Sequence, residues 1–186
     1  MRRFTRIAAL LTVLVVVLAG VSPALGKGHG PTEVPFKGTI IGEWGRILDG
    51  EPELPVECGG YDWYFFAEGT GKLTHLGKVE FFLEHCTDEI SDELSEWEGG
   101  TITFTAANGD TLVIEETGEG VLEFEGEGPP IGFSYVGEWE VLEGEGTGRF
   151  LNASGSGEIA GYGDIPGPLV LDFTGIITYD ASDGAK

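Results

Sequence analysis

Histidine is scarce in this chain, so its three imidazoles, His29, His75 and His85, are the first places to look for acid–base or metal chemistry. His29 lies in a glycine-rich stretch. His75 and His85 share strand parity with Val79, Phe81 and Leu83, which predicts that both point inward, one towards each end of a folded interior. An imidazole placed there serves as an acid, a base or a ligand anchor; the alternative is a histidine satisfied by a backbone carbonyl. Ten residues of strand span about 33 Å, so the two cannot share a zinc ion with the cysteines unless the strand bends sharply. The run Glu115-Glu116…Glu119…Glu123-Phe124-Glu125-Gly126-Glu127 gathers carboxylates without the spaced ligands and fixed glycine of a calcium loop. Glu123, Glu125 and Glu127 are expected on one solvated strand face. The sequence has no Gly-x-Ser-x-Gly elbow, phosphate loop or zinc-protease motif. No catalytic residue, metal ligand or cofactor is assigned. What remains is a set of aromatic residues: Trp44, Trp63, Phe65, Phe81, Phe104 and Trp139 are expected to point inward, and with His75 they form the candidate lining of a ligand cavity.

The elements that must position these side chains are short alternating runs punctuated by Gly, Asn and Asp, with no long helical period after the first 26 residues. Strands are expected near 36–47, 60–71, 73–86, 100–106, 110–117, 120–126, 133–143, 147–151, 155–162 and 169–179. Segment 87–98 reads as an acidic loop, with room for one helical turn. The turn Ala107-Asn108-Gly109 suits a three-residue hairpin, which pairs Phe104 with Leu112 and Ile102 with Ile114 and keeps one face apolar. A two-residue loop would break that face. Further inner-face sets are Trp63 and Phe65; Val79, Phe81 and Leu83; Tyr135, Trp139 and Val141; and Leu169, Leu171, Phe173, Ile177 and Tyr179. Many antiparallel strands with one wet face indicate a barrel or a sandwich. Glycines on inner parity (Gly77, Gly137, Gly175) let strands bend and favour the barrel. Gly69-Thr70-Gly71-Lys72-Leu73 and Gly146-Thr147-Gly148-Arg149-Phe150 form a weak repeat, read as equivalent hairpin corners.

The first 26 residues carry a different signal. Arg2, Arg3 and Arg6 precede an apolar run from Ile7 to Gly20, then Ser22-Pro23 and the small residues Ala24 and Gly26. That is the layout of a secretory signal peptide; an uncleaved anchor is the alternative. Arg2-Arg3 leaves twin-arginine export open, whereas Val21 stands where lipidation would need a cysteine. The domain reading is a signal peptide over 1–26, a flexible segment over 27–35, a β-barrel over 36–180 and a flexible tail over 181–186. The formal charge is −22. Removing a leader with three arginines and no acid leaves −25. Such a chain repels phosphate backbones, so nucleic acid is excluded as a partner, and no membrane association is expected after cleavage. The acidity reads as a solubilising surface or as adaptation to high salt. Cys58 and Cys86, an even pair in an exported chain, are expected to form a disulfide; two free thiols are the alternative.

The segments Gly69-Thr70-Gly71…Thr74-His75-Leu76-Gly77, Phe104-Thr105-Ala106-Ala107-Asn108-Gly109-Asp110 and Gly146-Thr147-Gly148-Arg149-Phe150…Asn152-Ala153-Ser154-Gly155-Ser156-Gly157 resemble those of uncharacterised exported bacterial proteins. Those proteins are grouped with the allene oxide cyclase barrel-like, dirigent-related fold. The resemblance implies an eight-stranded closed antiparallel barrel and no activity. No cyclase catalytic residue matches a position here. The fold class is therefore all-β, a closed antiparallel barrel of about eight strands after a signal peptide, secreted or periplasmic. The functional expectation is a non-catalytic barrel binding a small apolar ligand. Its alternatives are an isomerase or cyclase acting on an apolar substrate, and a structural or envelope-interaction module. A small barrel either fills its interior or holds one ligand.

Overall fold

A computed structural model describes residues 32–48, 55–89, 91 and 93–180. The segment over 1–26 read as a signal peptide and the tail over 181–186 lie outside the described residues. Eight strands form a closed antiparallel barrel in which each strand pairs with the next: β1 (Thr32–Leu48), β2 (Trp63–Leu73), β3 (Gly77–Glu89), β4 (Leu94–Ala106), β5 (Thr111–Phe124), β6 (Pro130–Val141), β7 (Ser154–Asp164) and β8 (Leu169–Tyr179). Strand β8 closes the barrel by pairing with β1 over Thr32–Gly42. Closure removes the edges that open sheets must protect. Among the described residues no helix is long and apolar enough to cross a membrane.

Inner and outer faces alternate as the sequence pattern requires. Phe104 pairs with Leu112 and Ile102 with Ile114, the three-residue hairpin register, and all four side chains are buried. The middle of the barrel is filled: Phe36 meets Trp139 edge-on at 5.0 Å and Phe104 meets Phe173 at 5.4 Å. One end is closed by the turn after β2 and by the 3-10 turn Gly148–Phe150, whose Phe150 ring packs against Tyr179.

Several boundaries differ from the sequence reading. Segment 87–98 is no loop: β3 continues to Glu89 and β4 starts at Leu94, because Glu96 and Glu98 stay on the wet face while Trp97 between them is buried. Strands 110–117 and 120–126 are one strand, β5. Gly118 and Gly120 are not turn glycines; a Cβ on Gly118 would lie 2.8 Å from the Trp97 ring. Strand β5 ends at Phe124, so Glu125 and Glu127 sit in the following turn rather than on a face shared with Glu123. Segment 147–151 holds a 3-10 turn. The glycine repeat is not structurally equivalent: Gly69 and Gly71 lie inside β2, where a Cβ would strike β1 carbonyls, whereas Gly146 and Gly148 lie in the β6–β7 connection. The segment over 27–35 yields its last four residues to β1, where Val34 pairs with Ile177.

Cys58 and Cys86 form a disulfide with Cα atoms 5.3 Å apart. It ties the 3-10 turn Val56–Cys58, in the connection between β1 and β2, to β3. The bond sits one residue beyond buried His85, on the opposite face of β3.

Candidate functional site

The site begins with a β-bulge. Between Trp97 and Gly100, β4 uses three steps where β5 uses two, from Gly118 to Glu116. The extra residue, with Gly99 at φ 70°, reverses the parity of β4. Gly100 and the residues after it face inward on even numbers. Before the bulge the inward residues are Trp97 and Ser95. The bulge therefore swings a tryptophan into the barrel beside β5.

Opposite it on β5, inner parity runs Leu112, Ile114, Glu116, Gly118, Gly120. Glu116 is 1% exposed, so its carboxyl group needs partners to be tolerated there. It has three. His85 Nδ1–H donates to Oε1 at 2.8 Å, Tyr135 Oη–H donates to Oε2 at 2.7 Å, and Trp97 Nε1–H also donates to Oε2. Three donors on two oxygens match the acceptor-only chemistry of a carboxylate. The glycines opposite make room: a Cβ on Gly100 would stand 2.3 Å from Glu116 Oε1. Burial, the Glu116 charge and the hydrogen bond to it together push the Tyr135 hydroxyl well above its ordinary pKa, so Tyr135 stays a donor.

His85 lies between two rings, Phe65 at 4.9 Å and 12° and Trp97 at 4.4 Å and 8°. Both imidazole faces are covered and Nδ1 is held by Glu116. His85 also lines the adjoining space. A histidine held through Nδ1 by a carboxylate is fixed in its ring orientation, as carboxylate–histidine pairs generally are.

That adjoining space is a cavity of about 370 Å³ at the open end of the barrel, where β1, β3, β5 and β7 end and the other strands begin. Its size falls within the usual range for small-molecule sites. Trp44, Trp63, Phe65 and Phe133 wall it; His85, Trp97 and Tyr135 form its base; Arg46, Glu89, Ser91 and Glu93 stand at its mouth. The walls hold one another: Trp44 stacks on Phe65 at 5.6 Å and meets Phe133 edge-on at 5.0 Å. A wider depression on the outer wall, about 560 Å³, is lined by Glu96, Glu98, Glu119, Glu138 and Glu158 and opens broadly to solvent. Among the described residues no three His, Cys, Asp or Glu side chains converge as a metal-ligand set.

The seven residues expected to line a cavity are divided by the structure. Trp44, Trp63 and Phe65 do line it. Phe81, Phe104 and Trp139 do not; they share the inner face but lie deeper, where large rings pack the barrel solid. His75 is not inward at all. It sits exposed in the turn between β2 and β3, at φ 66°, with Tyr179 Oη 3.2 Å from its Nδ1 and Arg149 donating to its carbonyl at 2.7 Å. Strand parity cannot be carried through a left-handed residue. Glu116, Trp97, Phe133 and Tyr135 are site residues the sequence reading missed. For Glu116 the signal existed, because the Leu112 and Ile114 register extended by two residues points it inward.

No protein-family model and no curated protein sequence matches the chain. Among solved structures, the pterocarpan synthase dirigent protein GePTS1 aligns over 89% of this chain and 99% of its own, at 14% identity and a TM-score of 0.48.

Proposed function

We propose that this protein binds one small, largely apolar molecule in the open end of its barrel, acts outside the cytoplasm and performs no chemistry on that molecule. The observation that carries the reading is the aromatic-walled cavity of about 370 Å³ at the open end of a barrel whose middle holds a cluster of buried rings. The Cys58–Cys86 disulfide supports an oxidising compartment. The test is a fluorescence titration with a panel of lipophilic compounds, since Trp44, Trp63 and Trp97 all line the space. Saturable quenching that is lost in Leu122→Phe, which puts a ring into the cavity, is the expected result. A panel without response refutes the reading.

One observation favours a second reading, an isomerase or cyclase acting on an apolar substrate: His85 lines the cavity and is hydrogen-bonded through Nδ1 to Glu116. If a bound compound is converted, His85→Gln must abolish conversion while binding persists. Conversion at an unchanged rate in that variant removes His85 as the base.

A further inference from the structure

We infer that the occupant of this cavity is an organic cation: an aromatic or alkyl body of modest size bearing an ammonium or comparable positive group. This rests on the cavity being a ligand site and goes further by assigning the charge of the ligand. The first ground is the wall. Aromatic faces attract cations through their quadrupole, with tryptophan the strongest, and a partly desolvated cluster of rings favours a cation over a neutral body of equal shape. Trp44, Trp63 and Phe133 line the space together with Phe65, whose own two faces are stacked on Trp44 and His85.

The second ground is that the chain already seats a positive group here. The Arg46 guanidinium stands 5.9 Å from the centroid of the Trp63 ring. The arginine ion pair found among the described residues, Arg149–Asp110, does not include it. The third ground is the surrounding field. Glu89 and Glu93 stand at the mouth against the single Arg46, so the rim is net negative, and Glu116 adds a carboxylate behind the base. The chain as a whole carries −22, which draws cations towards a low-dielectric cleft and repels anions. Among the described lining residues Arg46 is the one permanently positive side chain.

The experiment compares three probes of one shape by tryptophan fluorescence and calorimetry: benzyltrimethylammonium, its neutral isostere neopentylbenzene, and benzylsulfonate. The cation is expected to bind at least about tenfold tighter than the neutral isostere. One charge several ångströms away across solvent changes affinity about threefold. Arg46→Gln therefore tightens the cation about threefold, and Glu89→Gln with Glu93→Gln weakens it by about the square of that factor. Molar salt erases the rim effects, because screening then acts within about 3 Å. Equal binding of cation and neutral isostere overturns the cation assignment and leaves the apolar-ligand reading standing. Tightest binding of benzylsulfonate overturns it in favour of an anionic ligand, and weaker cation binding in Arg46→Gln overturns the charge argument on which it rests. No binding of any probe, with no response in the lipophilic panel, overturns both readings.

Discussion

Glu116 is the hub of the cavity base, and its replacement gives the sharpest test of the structure. Glu116→Leu keeps the volume close but strands three buried donors: His85 Nδ1–H, Trp97 Nε1–H and Tyr135 Oη–H. Each orphaned donor costs about 1–3 kcal/mol, or about 3–9 kcal/mol together. A buried leucine returns about 1.5–3 kcal/mol. At mid-range, about 6 kcal/mol lost and about 2 kcal/mol returned leave an expected net loss of about 4 kcal/mol, a large part of a typical stability of about 5–15 kcal/mol. Glu116→Gln should behave differently. Its amide oxygen can still accept from Trp97 and Tyr135, while its NH₂ faces His85, which is satisfied if the imidazole proton moves to Nε2. Only the charge assistance is lost, about 1–2 kcal/mol. The assay is urea unfolding followed by tryptophan fluorescence, read as a shift in midpoint at constant slope. Nitrogen-15 spectra of His85 should show the Nδ1–H tautomer in the wild type and the Nε2–H tautomer in Glu116→Gln. A Glu116→Leu loss below about 1 kcal/mol, or equal losses for the two variants, would refute the three-donor arrangement.

Three further outcomes follow from the same geometry. Replacing both cysteines by serine should lower stability by about 3–4 kcal/mol on the chain-entropy view, given a separation of 28 residues, measured by denaturant titration. The raised pKa of Tyr135 means that the folded state keeps a proton the unfolded chain releases above the ordinary value of 10.0. Stability is therefore full below that pH and falls as pH rises through it; unfolding midpoints across that range should fall less steeply in Tyr135→Phe than in the wild type. Thr87 Oγ1 is buried without a hydrogen-bond partner among the described residues, so Thr87→Val should leave stability unchanged or raise it by about 1 kcal/mol in a thermal melt.

Much of the barrel was legible in the residues. Alternation with period two fixes which face each side chain takes once a turn sets the register, so the Ala107-Asn108-Gly109 hairpin and the buried faces of β3, β6 and β8 are read directly from the order of residues. The two cysteines likewise announce their bond by number and setting. Glu116 was within reach by the same logic, two residues beyond Ile114, but a run of acids looks like a wet surface when counted rather than placed on alternating faces.

The tertiary structure alone decided three things. It placed a bulge between Trp97 and Gly100, and since a single inserted residue reverses parity, no alternation count made from Phe104 backwards could put Trp97 inside. It set depth along the barrel: Phe65 and Phe81 have the same parity, yet one walls a cavity and the other fills the core, because depth depends on how strands stagger around the closed sheet. It also brought His85, Trp97, Glu116 and Tyr135 from four different strands onto one carboxyl group. Period and turn chemistry are local and can be read along a chain, whereas stagger, bulges and convergence arise only when the barrel closes.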